Sequence, residues 1–168
     1  MYAMTEVDDM SQAEFVAAFG AVFEGTPEIA RAVWQLRPFQ CGAGLYSQMV
    51  AVVEALPQSA KLDLIRAHPD LGSKAKMAAA SVQEQAGVGL DCLSADEYDR
   101  FQQLNQAYRQ KFGFPFIIAV KNHTKASILD AFAQRLQNSV PAEENQAIAE
   151  ICQIARFRLH ALVPAFDP

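Results

Sequence analysis

Helix-start signals recur along the chain and restrict the folds open to it. Ser11 is followed three residues later by Glu14, and Ser94 by Glu97, which is the spacing of a capping box at a helix N-terminus. Apolar residues then follow at helical intervals. The pattern predicts helices opened by Pro27 and Thr124, and others over about 11–23, 45–55, 59–67, 73–85, 94–113 and 141–163.

Strand signals are almost absent. Only Phe114 to Val120 has the composition of a strand, and no other segment resembles it as a partner. The chain has 168 residues, 51% of them apolar, which suits one hydrophobic core. We therefore expect an all-α fold, a single-domain bundle of about eight helices over residues 1–168.

Composition and charge exclude several classes of function. The formal net charge is −5 with no basic block, which disfavours a nucleic-acid surface. No apolar run reaches the roughly 20 residues that cross a bilayer, and the acidic residues 1–10 do not resemble a signal peptide. The three cysteines form no CxxC pair. We expect a cytoplasmic protein with reduced thiols and no membrane contact.

The turn His68-Pro69-Asp70-Leu71-Gly72 is the sharpest local motif. Pro69 fixes the backbone after His68, so the imidazole is held at a helix end, a position suited to proton transfer near neutral pH. A histidine there also serves as a simple helix cap. No HxxxH or HxxE spacing accompanies it, so no metal site is expected.

Three polar residues share a helix face at i, i+3, i+4 spacing, namely Ser81, Glu84 and Gln85. Such a face lines a cavity or is solvated. The aromatic segment Lys111 to Ile118 contains Gly113 and Pro115, so its backbone groups lack helical partners. They are able to hydrogen-bond a flat heterocycle, unless the segment is only a packed loop.

The phase of the last predicted helix separates its two arginines. Arg158 lies seven residues after Ile151 and four before Leu162, inside the apolar stripe, whereas Arg156 points to the far side. A guanidinium that faces the core requires an anion or several acceptors, because an unpaired buried charge is unfavourable. The partner is a ligand, a structural ion pair, or solvent reached by snorkelling.

Five motifs occur in the order found in one enzyme family. They are the His68 to Gly72 turn, Ser81-x-x-Glu84-Gln85, Phe112 to Ile118, Asn122 to Lys125, and Ala155 to Leu159. In these motifs the chain resembles the 2-oxo-4-hydroxy-4-carboxy-5-ureidoimidazoline (OHCU) decarboxylases of urate breakdown. The resemblance implies an all-α homodimer without cofactor that converts OHCU, its small-molecule substrate, to (S)-allantoin.

The resemblance also implies roles for individual residues. It makes His68 the catalytic histidine and Glu84 its acidic partner. It assigns substrate binding to Pro69, Ser81, Gln85, Arg158, and the main chain around Phe116 and Ile118. The reaction is chemically possible without a cofactor, since the electrons left by CO2 loss spread into the adjacent C=N of the substrate ring.

Two non-catalytic functions stay open at this stage. His-Pro-Asp between helices is also the signature of J-domain co-chaperones, but the preceding residues 54–66 are mixed in charge where a basic helix is expected. Stimulation of Hsp70 ATP hydrolysis would reveal that function. The other alternative is a helical module that binds a purine-like ligand, which activity without added cofactor would exclude.

Overall fold

A computed structural model describes residues 1–73 and 79–163. Over these residues it contains α-helices, one short 3₁₀ helix and no strand, so the expected all-α class is confirmed. The described part contains no helix that is both long and apolar enough to traverse a bilayer. The helices are α1 (Met4–Asp9), α2 (Gln12–Phe19), α3 (Pro27–Trp34), α4 (Gly42–Glu54), α5 (Gln58–Arg66), α6 (Ala79–Gly87), α7 (Ala95–Phe112), α8 (Lys125–Arg135) and α9 (Val140–Leu162), with the 3₁₀ helix at Val120–Asn122.

The chain divides into two compact units. The first comprises Met1–Leu64 and the residues from Cys152 onward, and the second comprises Ile65–Ile151. In the first unit, α2 packs against α3 and α3 against α4. Phe15 lies 4.7 Å from Phe19 and 5.8 Å from Phe39, between ring centroids, and all three rings are buried. These contacts form the aromatic part of the first core.

The second unit is centred on Tyr108, a fully buried residue of α7. Its ring lies 5.2 Å from Phe116 in an edge-to-face contact and 6.1 Å from Phe132. Phe116 in turn stacks on Phe132. Because such ring pairs add to the hydrophobic gain of burial, this cluster fixes the non-helical segment after Gly113 against α7 and α8.

The helix starts follow the sequence signals closely where a capping side chain exists. Ser11 and Ser94 form the expected capping boxes, and Thr124 caps α8. The left-handed φ of 78° at Gly113 ends α7. The expectation of a helix over 73–85 agrees with α6 from Ala79 onward. Ser73 is not helical, and residues 74–78 lie outside the described residues.

Three elements differ from the expectation. α2 ends at Phe19, four residues before the expected end near residue 23. α4 starts at Gly42, three residues early, because Cys41 Sγ accepts a hydrogen bond from the Gly44 amide at 3.4 Å. α1 was not anticipated, because its N-cap Ala3 has no capping side chain. Glu6 supplies the cap from within the helix by accepting the Ala3 amide at 2.7 Å.

Candidate active site

His68 lies two residues beyond the end of α5. Its amide donates to the Ile65 carbonyl at 3.2 Å, and only 6% of the residue is exposed. The expected position at a helix end is therefore confirmed, and the residue is buried there. Pro69 and Asp70, which follow, are half-buried. A buried imidazole in a proline-restricted turn has little orientational freedom, which suits a group that transfers a proton.

Three hydrogen bonds, two to α7 and one to α6, hold the turn after His68. Arg109 Nε donates to Asp70 Oδ1 at 2.8 Å. Asn105 Nδ2 donates to the Leu71 carbonyl at 2.9 Å. The Gly72 amide donates to Gln85 Oε1 at 2.9 Å. Gly72 has a φ of 64°, which favours glycine, so the turn also depends on this residue for its shape. The turn is therefore fixed by both α7 and α6.

The polar face of α6 is largely buried. Ser81 is 6% exposed and Gln85 8%, while Glu84 is half-buried. Val82, at 51%, takes the outward position instead. Polar side chains on the inner side of a helix are uncommon unless they are hydrogen-bonded or meet a ligand. The face predicted from i, i+3, i+4 spacing is thus an inner face and not a solvated one.

Gln85 connects this face to the His68 turn through its bond with Gly72. Gln85→Leu is expected to lower the free energy of unfolding by about 1–3 kcal/mol, because the buried Gly72 amide loses its acceptor. Urea unfolding followed by circular dichroism measures this. Gln83→Leu, at an exposed position of the same helix, is the matched control and should change stability by less than about 0.5 kcal/mol. Equal stability of the two variants would contradict the assigned contact.

The segment between α7 and the 3₁₀ helix has alternating backbone contacts. The Ile117 carbonyl accepts from Arg135 Nη1 at 2.6 Å, and the Ala119 amide donates to Glu150 Oε2 at 2.8 Å. Within residues 1–73 and 79–163, the amide and carbonyl of Phe116 and of Ile118 make no hydrogen bond. Consecutive residues of an extended chain direct these groups to opposite sides. One side of the segment is therefore bound by protein and the other is left unbonded.

The side chains of Phe116 and Ile118 belong to the core. Phe116 is 1% exposed and Ile118 4%. Buried backbone groups without partners are rare in folded proteins, because each costs about as much as a lost hydrogen bond. The packed-loop alternative is thus correct for the side chains. The unbonded amides and carbonyls are what main-chain recognition of a ligand requires.

Arg135, Glu143 and Glu150 were not among the residues singled out from sequence. Glu143 is fully buried, and Arg135 Nε donates to its Oε2 at 3.0 Å. Burial and the bond to Glu143 raise the pKa of Tyr108, which donates its hydroxyl proton to that carboxylate. Arg135 follows Ile128 and Phe132 at i+7 and i+3, so the phase argument used for Arg158 would have found it.

Arg158 belongs to the first unit and is 7% exposed, whereas Arg156 is exposed, so the predicted helix phase is confirmed. Its Nη1 lies 3.2 Å from Glu24 Oε2 and also donates to the carbonyls of Ala21 and Val22. Glu24 is itself 5% exposed. One requirement of the buried guanidinium, a nearby anion, is therefore met within the protein.

In the second unit, the described residues bring several predicted site residues onto neighbouring elements. Gln85 of α6 holds the turn that begins with His68 and Pro69, and α6 packs against the 3₁₀ helix that follows Ile118. The family model of the OHCU decarboxylases matches residues 8–160. The chain belongs to the OHCU decarboxylase family.

Relatives in this family match over nearly the whole chain. The OHCU decarboxylase of Halalkalicoccus jeotgali is 42% identical over 164 residues, 96% of this chain and 93% of the relative. That of Mus musculus is 38% identical, again over 96% and 93%. The bifunctional uric acid degradation protein PucL of Bacillus subtilis is 40% identical, and this chain covers 33% of it.

Solved structures show the same fold. A crystal structure of (S)-allantoin synthase matches with a TM-score of 0.80 and 28% sequence identity. The match covers 99% of this chain and 56% of the synthase chain. A crystal structure of an OHCU decarboxylase in the presence of (S)-allantoin has a TM-score of 0.70 at 21% identity. The helical architecture described above is thus the fold of solved OHCU decarboxylases.

Proposed function

We propose that this protein is a carboxy-lyase that decarboxylates OHCU to (S)-allantoin in urate degradation. The family match over residues 8–160 carries the proposal, and all eight residues assigned from the motifs lie inside it. The relatives are named for steps of urate breakdown: one is called an OHCU decarboxylase, and another is called a uric acid degradation protein. Two features support it further: the buried turn at His68, and the backbone at Phe116 and Ile118, which forms no hydrogen bond with any residue that the structure describes.

The reaction balances without a cofactor. The bond between the ring carbon and the carboxylate breaks and CO2 leaves. The electron pair forms a double bond to the neighbouring ureido-bearing carbon, and the π pair of its C=N moves to the ring nitrogen, which takes up a proton. The hydroxyl on that carbon then loses its proton and becomes a carbonyl, while a proton is added at the carbon bearing the ureido group. One proton is taken up for each CO2 lost. Addition from a single face gives one enantiomer.

The residues take distinct roles in this scheme. His68 moves the proton at the carbon that bears the hydroxyl and the carboxylate, since an imidazole exchanges protons near neutral pH. Glu84 orients the imidazole or the ureido N–H groups. Ser81, Gln85 and Pro69 surround the substrate, and the backbone of Phe116 and Ile118 meets the ring. Arg158 holds a ring carbonyl oxygen through its planar set of donors.

Circular dichroism of freshly generated OHCU tests the proposal directly. With enzyme and no added cofactor, one allantoin enantiomer is expected to appear rapidly. Allantoin that forms at the uncatalysed rate, or as a racemate, would remove the function and favour a helical module that only binds a purine-like ligand.

We also propose that the protein acts as a cytoplasmic homodimer. The family resemblance supports this oligomeric state. Sedimentation equilibrium at the concentration used for the activity measurement tests it, because a monomer mass under those conditions would contradict the proposal.

A further inference from the structure

Ile118 contributes one atom group to each of two neighbouring peptide groups. In each of these peptide groups, the other polar atom is hydrogen-bonded to a charged side chain. Its N–H shares a peptide group with the Ile117 carbonyl, which accepts from Arg135 Nη1 at 2.6 Å. Its carbonyl shares a peptide group with the Ala119 amide, which donates to Glu150 Oε2 at 2.8 Å. In the described part of the chain, the N–H and C=O of Ile118 itself are unbonded.

Charge at one end of a peptide group alters the other end, because the group is conjugated. A guanidinium on the Ile117 oxygen withdraws electrons and makes the Ile118 N–H a better donor. A carboxylate on the Ala119 N–H pushes electrons toward the Ile118 oxygen and makes it a better acceptor. Hydrogen bonds in such chains strengthen one another, and charge-assisted bonds are about twice as strong as neutral ones.

We propose that Arg135 and Glu150 are positioning residues that polarise Ile118 as a paired donor and acceptor for a ureide edge. In such an edge, a substrate C=O accepts the Ile118 N–H while a neighbouring substrate N–H donates to the Ile118 carbonyl. This is the exchange that two residues make in a hydrogen-bonded pair of a sheet. The inference rests on the proposed function, because OHCU contains such edges in its ring and in its ureido group.

Both charged side chains have further contacts that orient them, and those of Arg135 are buried. Arg135 has its carbon Cζ 4.3 Å from the centre of the Phe116 ring, and its side chain is 10% exposed. The side chain of Glu143 is 0% exposed, and its Oε2 lies 2.9 Å from Arg135 Nη2. Glu150 Oε1 accepts from Gln146 Nε2 at 2.9 Å. Because the charges are already oriented, they polarise the backbone without reordering when a ligand binds.

Glu150→Gln separates charge from hydrogen bonding, because the amide oxygen still accepts the Ala119 N–H. We expect the KM for OHCU and the Kd for added (S)-allantoin to rise about fivefold, the ratio for the roughly 1 kcal/mol between charge-assisted and neutral bonds. The kcat should stay within about twofold. The carbonyl carbon resonance of Ile118 should move upfield. Asp130→Asn, at an exposed position of α8, makes the same charge change and should alter none of these quantities.

Arg135 requires a variant that still folds, since its loss alone would leave the buried carboxylate of Glu143 without its cation. The combined change Arg135→Met, Glu143→Leu and Tyr108→Phe replaces the cluster with apolar side chains, which is often neutral for stability. We expect a folded protein whose melting temperature is somewhat lowered, because the Ile117 carbonyl and the Asn138 amide lose their partners. The Ile118 amide proton resonance should move upfield, and the Kd for (S)-allantoin should rise by about fivefold or more.

The outcomes distinguish this inference from the proposed function. If the folded variants bind (S)-allantoin as tightly as wild type with unchanged Ile118 resonances, the positioning role is overturned, whatever the activity. If wild type does not decarboxylate OHCU but binds (S)-allantoin at Ile118, and the variants bind it more weakly, the positioning role stands. In that case it is the decarboxylase function that fails.

Discussion

His68→Asn is expected to lower kcat for OHCU by at least about 10², the lower end of what positioned acid–base catalysis contributes. Asparagine retains a polar side chain at the turn but has no group that exchanges a proton near neutral pH. The change should therefore affect kcat more than KM. Stopped-flow circular dichroism with freshly generated substrate measures both, and His68→Ala should behave in the same way.

The control for this experiment is His160→Asn, at an exposed position of α9, which should retain wild-type turnover. The melting temperature of each variant must be measured, because His68 is buried and its replacement also disturbs packing. A folded His68→Asn protein with near wild-type kcat would show that another group moves the proton.

The fold was predictable because its signals are local. Ser11, Ser94 and Thr124 each meet a backbone amide only three residues away, so a short sequence window contains both partners of the cap. Gly113 ends α7 for a reason equally local, its left-handed φ. α1 shows the limit of this argument. Its cap comes from Glu6, and a helix without a capping side chain at the preceding residue has no distinctive start signal.

Part of the candidate site was also accessible from helix phase. The i, i+4 spacing places Ser81 and Gln85 on one face but does not say whether that face is buried, whereas burial of Arg158 follows from its place in the α9 stripe. The partners were not accessible in this way. Glu150 meets Ala119 across 31 residues, and Glu24 meets Arg158 across 134, so only the folded chain brings these pairs together. Periodicity indicates which side chain turns inward but does not name the group it meets.

Arg158→Met is expected to lower the free energy of unfolding by about 3–5 kcal/mol, because it removes the guanidinium from a buried ion pair with Glu24. Arg158→Lys retains the positive charge near Glu24 but not the planar set of donors. It should therefore spare most of the stability. If Arg158 also holds a substrate oxygen, the same change should raise KM and lower kcat/KM about tenfold or more, as expected for loss of a charge-assisted hydrogen bond.

Arg156→Lys is the matched control, since Arg156 is exposed on the same helix and should change stability by no more than about 0.5 kcal/mol. Comparing the lysine variants separates the two roles of Arg158. A raised KM with near wild-type stability supports contact with substrate, because the ion pair alone does not affect KM. Lost stability with unchanged KM would restrict Arg158 to its bond with Glu24. Equal effects at both positions would contradict the helix phase itself, since only one of the two guanidinium groups is buried.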